Sequence, residues 1–306
     1  MRVLNPYSLA IVITEGRFSC VKASQSLGFV SHDALTRQLA KKWSFTPITD
    51  WDSLPKEGRA VLDDSAIAKP HSEAIEGVGW IYDSSEGKAL PGINMLLALW
   101  VVVDEVFVLE VAFPQSESRN ELVQDLLKRM NEAGLKPTEI LFDAWYAARK
   151  TLNLIHRLGW KYVCRMKGNR LFNGQPIQSY QFYGAKGRRG RLKEVNHKVQ
   201  IVKHEDRFLL TNETTFLHTS LTLAEAYAKR WVVETVFRDL KTVLHLEKCS
   251  CRNLEAQFNH VLCALEAYLY LRQAFPHLSI QAAQQECLRL YRCPNCRPDL
   301  TQLVTA

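Results

Sequence analysis

The 306-residue chain has no run of about eighteen apolar residues free of charge, which excludes a membrane-spanning helix. Its opening stretch, MRVLNPYSLAIVITEGRF, carries a short apolar run without a basic start or a small-residue cleavage site. It therefore does not read as a secretion signal, and the chain is expected in the cytoplasm with no membrane partner. Without a secretory pattern, the eight cysteines do not suggest a disulfide framework in a chain this long. Cys249 and Cys251 form C-x-C, and Cys293 and Cys296 form C-P-N-C. Four thiolates can hold zinc, but C-x-C is a poor half-site and roughly forty residues separate the pairs, which favours reduced, non-liganding thiols. No internal repeat is evident. Acidic residues are scarce in one place above all: between positions 165 and 203, Glu194 stands alone against ten Lys and Arg.

The chain's formal net charge is +7, so that stretch carries more than the whole surplus. It includes Arg188, Arg189, Arg191 and Lys193. A basic cluster of this kind reads as a polyanion-binding surface or as a solvated loop. The hydrophobic fraction of 47% supports a proper core, and the length suits one large domain with appendages.

Taken in order, residues 1–45 read as a small helical module: SCVKASQSLG, a turn at Gly28, then SHDALTRQLAKKW with Ser31 as N-cap. The second helix, with His32, Thr36, Arg37, Lys41 and Lys42, suits either a major-groove reader or one arm of a plain helical hairpin. Residues 46–58 read as a linker. RAVLDDS is a short apolar strand running into two carboxylates, and residues 65–91 read as polar loop. INMLLALWVVV, a turn at Asp104-Glu105, and VFVLEVAF read as an antiparallel hairpin. ESRNELVQDLLKRMNEAG is an amphipathic helix closed by Gly134. LKPTEILFD is a buried strand ending in Asp143, ARKTLNLIHRLG a helix ending at Gly159, and WKYVCRMK a further strand. Strands joined by helical crossovers predict a mixed sheet with helices on its faces. Residues 168–211 read as a small β-rich insertion. Thr222, with Glu225 three residues on, is expected to cap the next helix. Asn253 to Phe275 and Ile280 to Tyr291 read as two more helices.

That next helix carries the most chemistry. Ala226 to Leu246, AYAKRWVVETVFRDLKTVLHL, lacks Gly and Pro and reads as one helix. At about 100° per residue, Tyr227, Arg230, Glu234, Arg238 and Lys241 fall within about 80° of arc. Val232, Val233, Val236, Phe237, Leu240, Val243 and Leu244 fill the adjoining arc and face a core. Arg230, Glu234 and Arg238 alone would be an ordinary ladder of i,i+4 ion pairs. The register adds something: Tyr227, two residues, Arg230, three residues, Glu234, six residues, Lys241.

This register resembles the Tyr-Arg-Glu-Lys signature of bacterial insertion-sequence transposases with an Asp-Asp-Glu active site. Trp231 and Phe237 strengthen the likeness. The resemblance covers about residues 59–270, and its two further carboxylates are present. The first Asp maps to Asp63, with Asp64 as the fallback, and the second maps to Asp143, with Tyr146 as the nearby aromatic. The resemblance implies an α/β, ribonuclease-H-like mixed sheet flanked by helices, with a small β-rich insertion; the short helical N-terminal module and the modest C-terminal part depart from the family. The domains so expected are 1–50 (helical, helix-turn-helix or plain hairpin), 51–275 (catalytic, with the insertion at 168–211) and 276–306 (helical tail). The resemblance carries the site residues as well. It also implies that Asp63, Asp143 and Glu234 hold two Mg²⁺ ions, with Mn²⁺ substituting. Tyr227, Arg230, Arg238, Lys241, Arg188, Arg189, Arg191 and Lys193 would bind DNA.

Hard cations take carboxylate oxygens, and two of them can serve both the attacking and leaving oxygens of a phosphodiester displacement. The activity so implied is cleavage at the ends of an insertion sequence and joining of the 3′-hydroxyl to target DNA, through a hairpin. The partners would be double-stranded DNA (terminal inverted repeats and target) and a second copy of the chain in a synaptic homodimer, on the nucleoid. Lys69 and His71 read as loop-surface residues more than DNA contacts, and Trp145 as a core residue more than a base-stacking one. A nuclease of the same fold that cuts without joining would share every site residue. A DNA-binding relic would have no chemical need for the three carboxylates.

Overall fold

The computed structural model describes residues 4–41, 49–72, 74–83, 87–115, 118–183 and 185–293; Lys42 and Cys296 lie outside them. In chain order the strands are β1 (Glu57–Ala68), β2 (Gly79–Asp83), β3 (Lys88–Val102), β4 (Glu105–Ala112), β5 (Lys136–Phe142), β6 (Tyr162–Met166), β7 (Leu171–Phe172), β8 (Gln175–Pro176), β9 (Arg188–Gly190), β10 (Val199–His204) and β11 (Arg207–Thr211). The helices are α1 (Pro6–Ile13), α2 (Cys20–Leu27), α3 (His32–Ala40), α4 (Arg119–Glu132), α5 (Arg149–Arg157), α6 (Ser220–Ala228), α7 (Trp231–Thr242), α8 (Leu254–Ala274) and α9 (Ile280–Arg292). No described helix is long and apolar enough to cross a membrane. The chain divides into two compact units, each assembled from separate segments.

One unit comprises Thr49–Asp64 and Leu96–Glu234. Its sheet runs β4-β3-β1-β5-β6-β11-β10-β9. β3 and β4 form the antiparallel hairpin, and β1, β5 and β6 are parallel. With β1, β3, β4, β5 and β6 counted as strands one to five, the order is 3-2-1-4-5, the ribonuclease-H-like arrangement. The parallel strands have helical crossovers because α4 and α5 each offer one apolar face. Val123, Leu126, Leu127 and Met130 are buried on α4, and Leu152, Leu154 and Ile155 on α5. Ser118 and Glu121 close a capping box on α4. Helical chain ends at Gly134 and Gly159, whose positive φ values of 71° and 77° suit glycine. Residues 168–211 are β-rich as expected, but they do more than decorate: β11 pairs with β6, so β9, β10 and β11 extend the main sheet.

Several expectations are corrected. β1 does not stop at its carboxylates but runs through them to Ala68, and β2 and the start of β3 occupy much of the stretch that reads as loop. Backbone pairing, not side-chain polarity, decides there: β2 pairs with residues 88–92 of β3. The turn of the β3–β4 hairpin is Val103-Asp104, one residue early, with Val103 at φ 56°. The helix-capping residue is Thr219, and Thr222 closes the box with its own hydroxyl. The single long helix is two, α6 and α7. At the break the N–H groups of Arg230 and Val233 bond three residues back, to Tyr227 and Arg230, rather than four. This tightened turn interrupts the uniform 100° progression between Tyr227 and Glu234. α7 stops at Thr242, and His245 turns the chain at φ 58°.

The other unit comprises Met1–Ile48, Ser65–Met95 and Thr235–Ala306. Gly28 makes the turn between α2 and α3 at φ 77°, and Ser31 caps α3. α1 is buried almost throughout, from Tyr7 to Ile13. The helix and its N-cap residue are tied to α8: Asn5 donates to Glu266 at 2.6 Å, Ser8 donates to the same carboxylate, and Tyr7 meets His260 Nδ1 at 2.9 Å. Asn259 of α8 donates to the carbonyl of Leu39 at 2.6 Å. Lys69 is buried, not loop surface, and its Nζ donates to the carbonyls of Glu247 and Cys249 at 3.0 and 2.9 Å.

Candidate active site

The register of two parallel strands brings the aspartates together. Leu62 of β1 pairs with Phe142 of β5, the last pair of that ladder, so Asp63 and Asp143 follow on adjacent strands. The third carboxylate comes from the first turn of α7, where Glu234 sits one turn after Arg230. Arg230 joins them: its Nη1 donates to Asp63 and its Nη2 to Glu234. The Arg230 guanidinium also lies 5.3 Å from the ring of Tyr227, whose hydroxyl donates to Asp143 at 3.2 Å. One Tyr-Arg pair at the α6–α7 break thus engages all three carboxylates. Val233 and Val236 are fully buried and fix the face of α7 that does this.

Asp64 has different company. It accepts from the Tyr146 hydroxyl at 2.8 Å and from Arg119 Nη1 at 2.8 Å. Tyr146 is fully buried in the short turn Ala144–Tyr146 that follows Asp143, so Asp64 braces the second aspartate's loop. Arg119, the first residue of α4, carries no local sequence signal for this role.

Burial drives the electrostatics. It pushes the Asp63 carboxyl up to about 7 against the pull of Arg230, with Asp64 and Asp143 adding repulsion. Burial also raises the Tyr227 and Tyr146 hydroxyls well above the ordinary phenol range. Desolvation opposes the charge on Arg230, but Asp63, Tyr227 and Glu234 more than offset it, and its pKa is raised. Arg230 Nε is buried without a partner, so the guanidinium is held by its two carboxylates alone on that side.

As the side chains lie, no three His, Cys, Asp or Glu among the described residues are grouped to hold a metal ion. The donor chemistry nonetheless fits a hard divalent cation. Asp63 and Glu234 share one cation already, the Arg230 guanidinium, and Asp143 is adjacent.

The remaining residues expected to bind DNA are divided between the two units. Lys241 stands 3.7 Å from Glu247, and Arg238 lies exposed beside Asp239 at 3.7 Å. Arg188 is engaged locally: it lies 5.5 and 5.8 Å from the rings of Tyr180 and Phe182 and donates to the Gln181 carbonyl. Arg189 follows it on β9, and Arg191 and Lys193 lie just beyond, both exposed. Trp145 is not a core residue. It is 54% exposed, with Arg119 at 5.4 Å and Lys167 at 4.9 Å from its ring.

Residues 54–270 match the family model described as "Transposase DDE domain". No curated protein shows significant similarity to the chain. Among solved structures, the fold is similar to that of piggyBac transposase in a cryo-EM synaptic complex with hairpin DNA. That alignment covers 98% of this chain and 74% of the other, with a TM-score of 0.51 and 9% identity, so the likeness speaks for the fold alone. A second alignment, to the Drosophila P element transposase strand transfer complex, covers 95% of this chain and 64% of that one. Its TM-score of 0.29, at 13% identity, is too low to carry weight.

Proposed function

The chain belongs to the transposase DDE domain family, and on that premise we propose that it cleaves the ends of an insertion sequence and joins the freed 3′-hydroxyl to target DNA. The observation that carries this reading is the single cation, Arg230, shared by Asp63 and Glu234 beside Asp143. Those three carboxylates would hold Mg²⁺ or Mn²⁺. The ions would supply a more basic attacking oxygen and a stabilised leaving oxygen.

The protein's own groups do the rest. Tyr227 and Arg230 form hydrogen bonds with carboxylates and would turn toward phosphate oxygens when DNA is bound, Arg230 bidentately. Lys241, two turns after Glu234 on the same helix, would neutralise a further phosphate. Tyr146 and Arg119 hold Asp64 and thereby fix the loop that carries Asp143. The exposed Arg189, Arg191 and Lys193, with Arg188 and Arg238, would supply sequence-independent backbone contacts. The Tyr-Arg-Glu-Lys register argues for a hairpin step on the element end, carried out by two copies of the chain in a synaptic complex on the nucleoid.

The test is cleavage of labelled linear DNA bearing the element ends, with Mg²⁺, Mn²⁺ or chelator, for wild type and Glu234→Gln. Metal-dependent nicking at the ends that disappears in the variant is the expected result, with hairpin products marking the signature group. Cleavage without any joining would leave a nuclease. Binding without cutting, indifferent to Glu234, would overturn the enzymatic reading.

A further inference from the structure

Beyond the three carboxylates, a cavity of about 360 Å³ is lined by Ala148, Arg149, Asn169, Arg170, Leu171, Lys193 and Glu194. Three cations and one carboxamide from three separate segments converge on it. Its walls are well anchored. Arg149 opens α5, whose N-cap residue Ala148 has no side chain to accept a bond from the first-turn N–H groups. The backbone of Arg170 is held by Lys167 at 3.2 Å and by Ile177 at 2.9 Å, and the N–H of Lys193 by Leu171 at 2.9 Å. Arg170 Nη1 also reaches the carbonyl of Ala147 at 3.4 Å, at the end of the turn that starts from Asp143. The cavity therefore sits a few residues down the chain from a catalytic aspartate.

From this geometry we infer that the cavity is a seat for one DNA backbone phosphate, held by Arg149, Arg170 and Lys193 with Asn169 as a neutral donor. The inference rests on the proposed DNA substrate and adds a particular contact to it. Three cations around one concavity suit a single phosphodiester, whose two non-bridging oxygens share one negative charge, better than an extended surface, and the guanidinium planes of two arginines can each present two donors. The one acid at the cavity, Glu194, lies 3.2 Å from Arg149, with both side chains about half exposed. Glu194 acts as the occupant of the Arg149 fork until a phosphate replaces it. The Glu194 backbone sits at φ 65°, and Asn153 Nδ2 donates to its carbonyl at 3.1 Å.

The experiment measures binding of a labelled duplex carrying the element ends by anisotropy across a salt series. It compares wild type, Arg149→Gln, Arg170→Gln, Lys193→Gln and Glu194→Gln, each checked by thermal unfolding. Each lost cation is expected to make the plot of log affinity against log salt shallower by about one. Glu194→Gln is expected to tighten binding by roughly 2- to 5-fold, as removal of an exposed competing charge allows. Replacing single phosphates by neutral methylphosphonates is expected to weaken wild-type binding most at one position near the cut, and that penalty is expected to vanish in Lys193→Gln. If Arg170→Gln unfolds, Arg149→Gln and Lys193→Gln still decide the matter. Wild-type binding and cleavage with unaltered slopes in the variants, or slopes that fall without coupling to any one phosphate, would overturn the inference and leave the enzymatic reading standing. Absence of salt-dependent DNA binding in wild type would remove both.

Discussion

Asp63 and Asp64 are neighbours in one extended strand, so their side chains leave it on opposite faces, and their partners differ accordingly. Asp63 faces Arg230 and the strand that carries Asp143, whereas Asp64 is tied to Tyr146 and Arg119. This predicts opposite phenotypes. Asp63→Asn is expected to abolish cleavage with little loss of stability. Asp64→Asn is expected to cost about 1–3 kcal/mol, because it weakens a charged bond to Arg119 and disturbs a buried phenol, while cleavage by the folded fraction persists. Urea melts beside cleavage assays check this, and loss of cleavage in a fully folded Asp64→Asn would reassign the first ligand. Asp63 also predicts a pH dependence. Its carboxyl is raised to about 7 from an ordinary 3.8, so the folded state holds that proton more tightly than the unfolded state. Its contribution is therefore most favourable below the unfolded value and is lost as pH rises from there to about 7. The metal-free protein is expected to lose on the order of 1 to 4 kcal/mol on this account. The Tm of Asp63→Asn relative to wild type should accordingly rise between pH 5 and pH 8 in chelator. A Tm difference that is constant across that range would contradict the burial argument.

The elements show which parts of this arrangement local sequence can encode. Strand β5 and its Asp143 were legible because a run of apolar residues ended in a lone carboxylate, and α4 and α5 because their apolar spacing and terminal glycines agree. The spacing from Arg230 to Glu234 was legible for the same reason: both lie within one turn of helix, where sequence distance fixes spatial distance. The break at Lys229-Arg230 was not. Neither Gly nor Pro marks it, and what accompanies it is a long-range interaction, the buried bridge from Arg230 to Asp63. The run of β1 past Asp64 and the exposure of Trp145 are likewise decided by pairing and by neighbouring cations, not by residue type. The position of Asp63 depends further on how β1 begins. A Cβ at Gly58 would stand 2.5 Å from the fully buried Trp100 ring, whose Nε1 is held by the Pro55 carbonyl at 3.0 Å, and the β1–β5 register shifts between Gly58 and Arg59. Gly58→Ala is therefore expected to destabilise by about 1–3 kcal/mol through overpacking. Denaturant unfolding measures this directly, and a neutral result would mean that the indole can move without cost.

At the scale of the whole molecule, the unit that contains the first helices is completed only by the last ones. A detachable DNA-reading module would bury its own small core and join the rest through a linker. Here α1 instead buries Leu9, Ala10, Ile11, Val12 and Ile13, and Asn5, Ser8 and Tyr7 bond to Glu266 and His260 of α8. Burying a large aliphatic side chain stabilises by roughly 1.5–3 kcal/mol, so the four larger of these five residues together contribute about as much as the 5–15 kcal/mol that separates most folded proteins from unfolding. Deleting residues 1–41 is therefore expected to abolish cooperative folding of this unit and to expose the apolar length of α8, giving an aggregating protein rather than a soluble one that has merely lost DNA affinity. Circular dichroism melts and limited proteolysis of the truncated chain test this. A truncated protein that melts cooperatively within a few degrees of wild type, with DNA binding alone reduced, would show that α1 to α3 are an independent module after all, and that the contacts to Glu266 and His260 are a docking interface rather than part of one core.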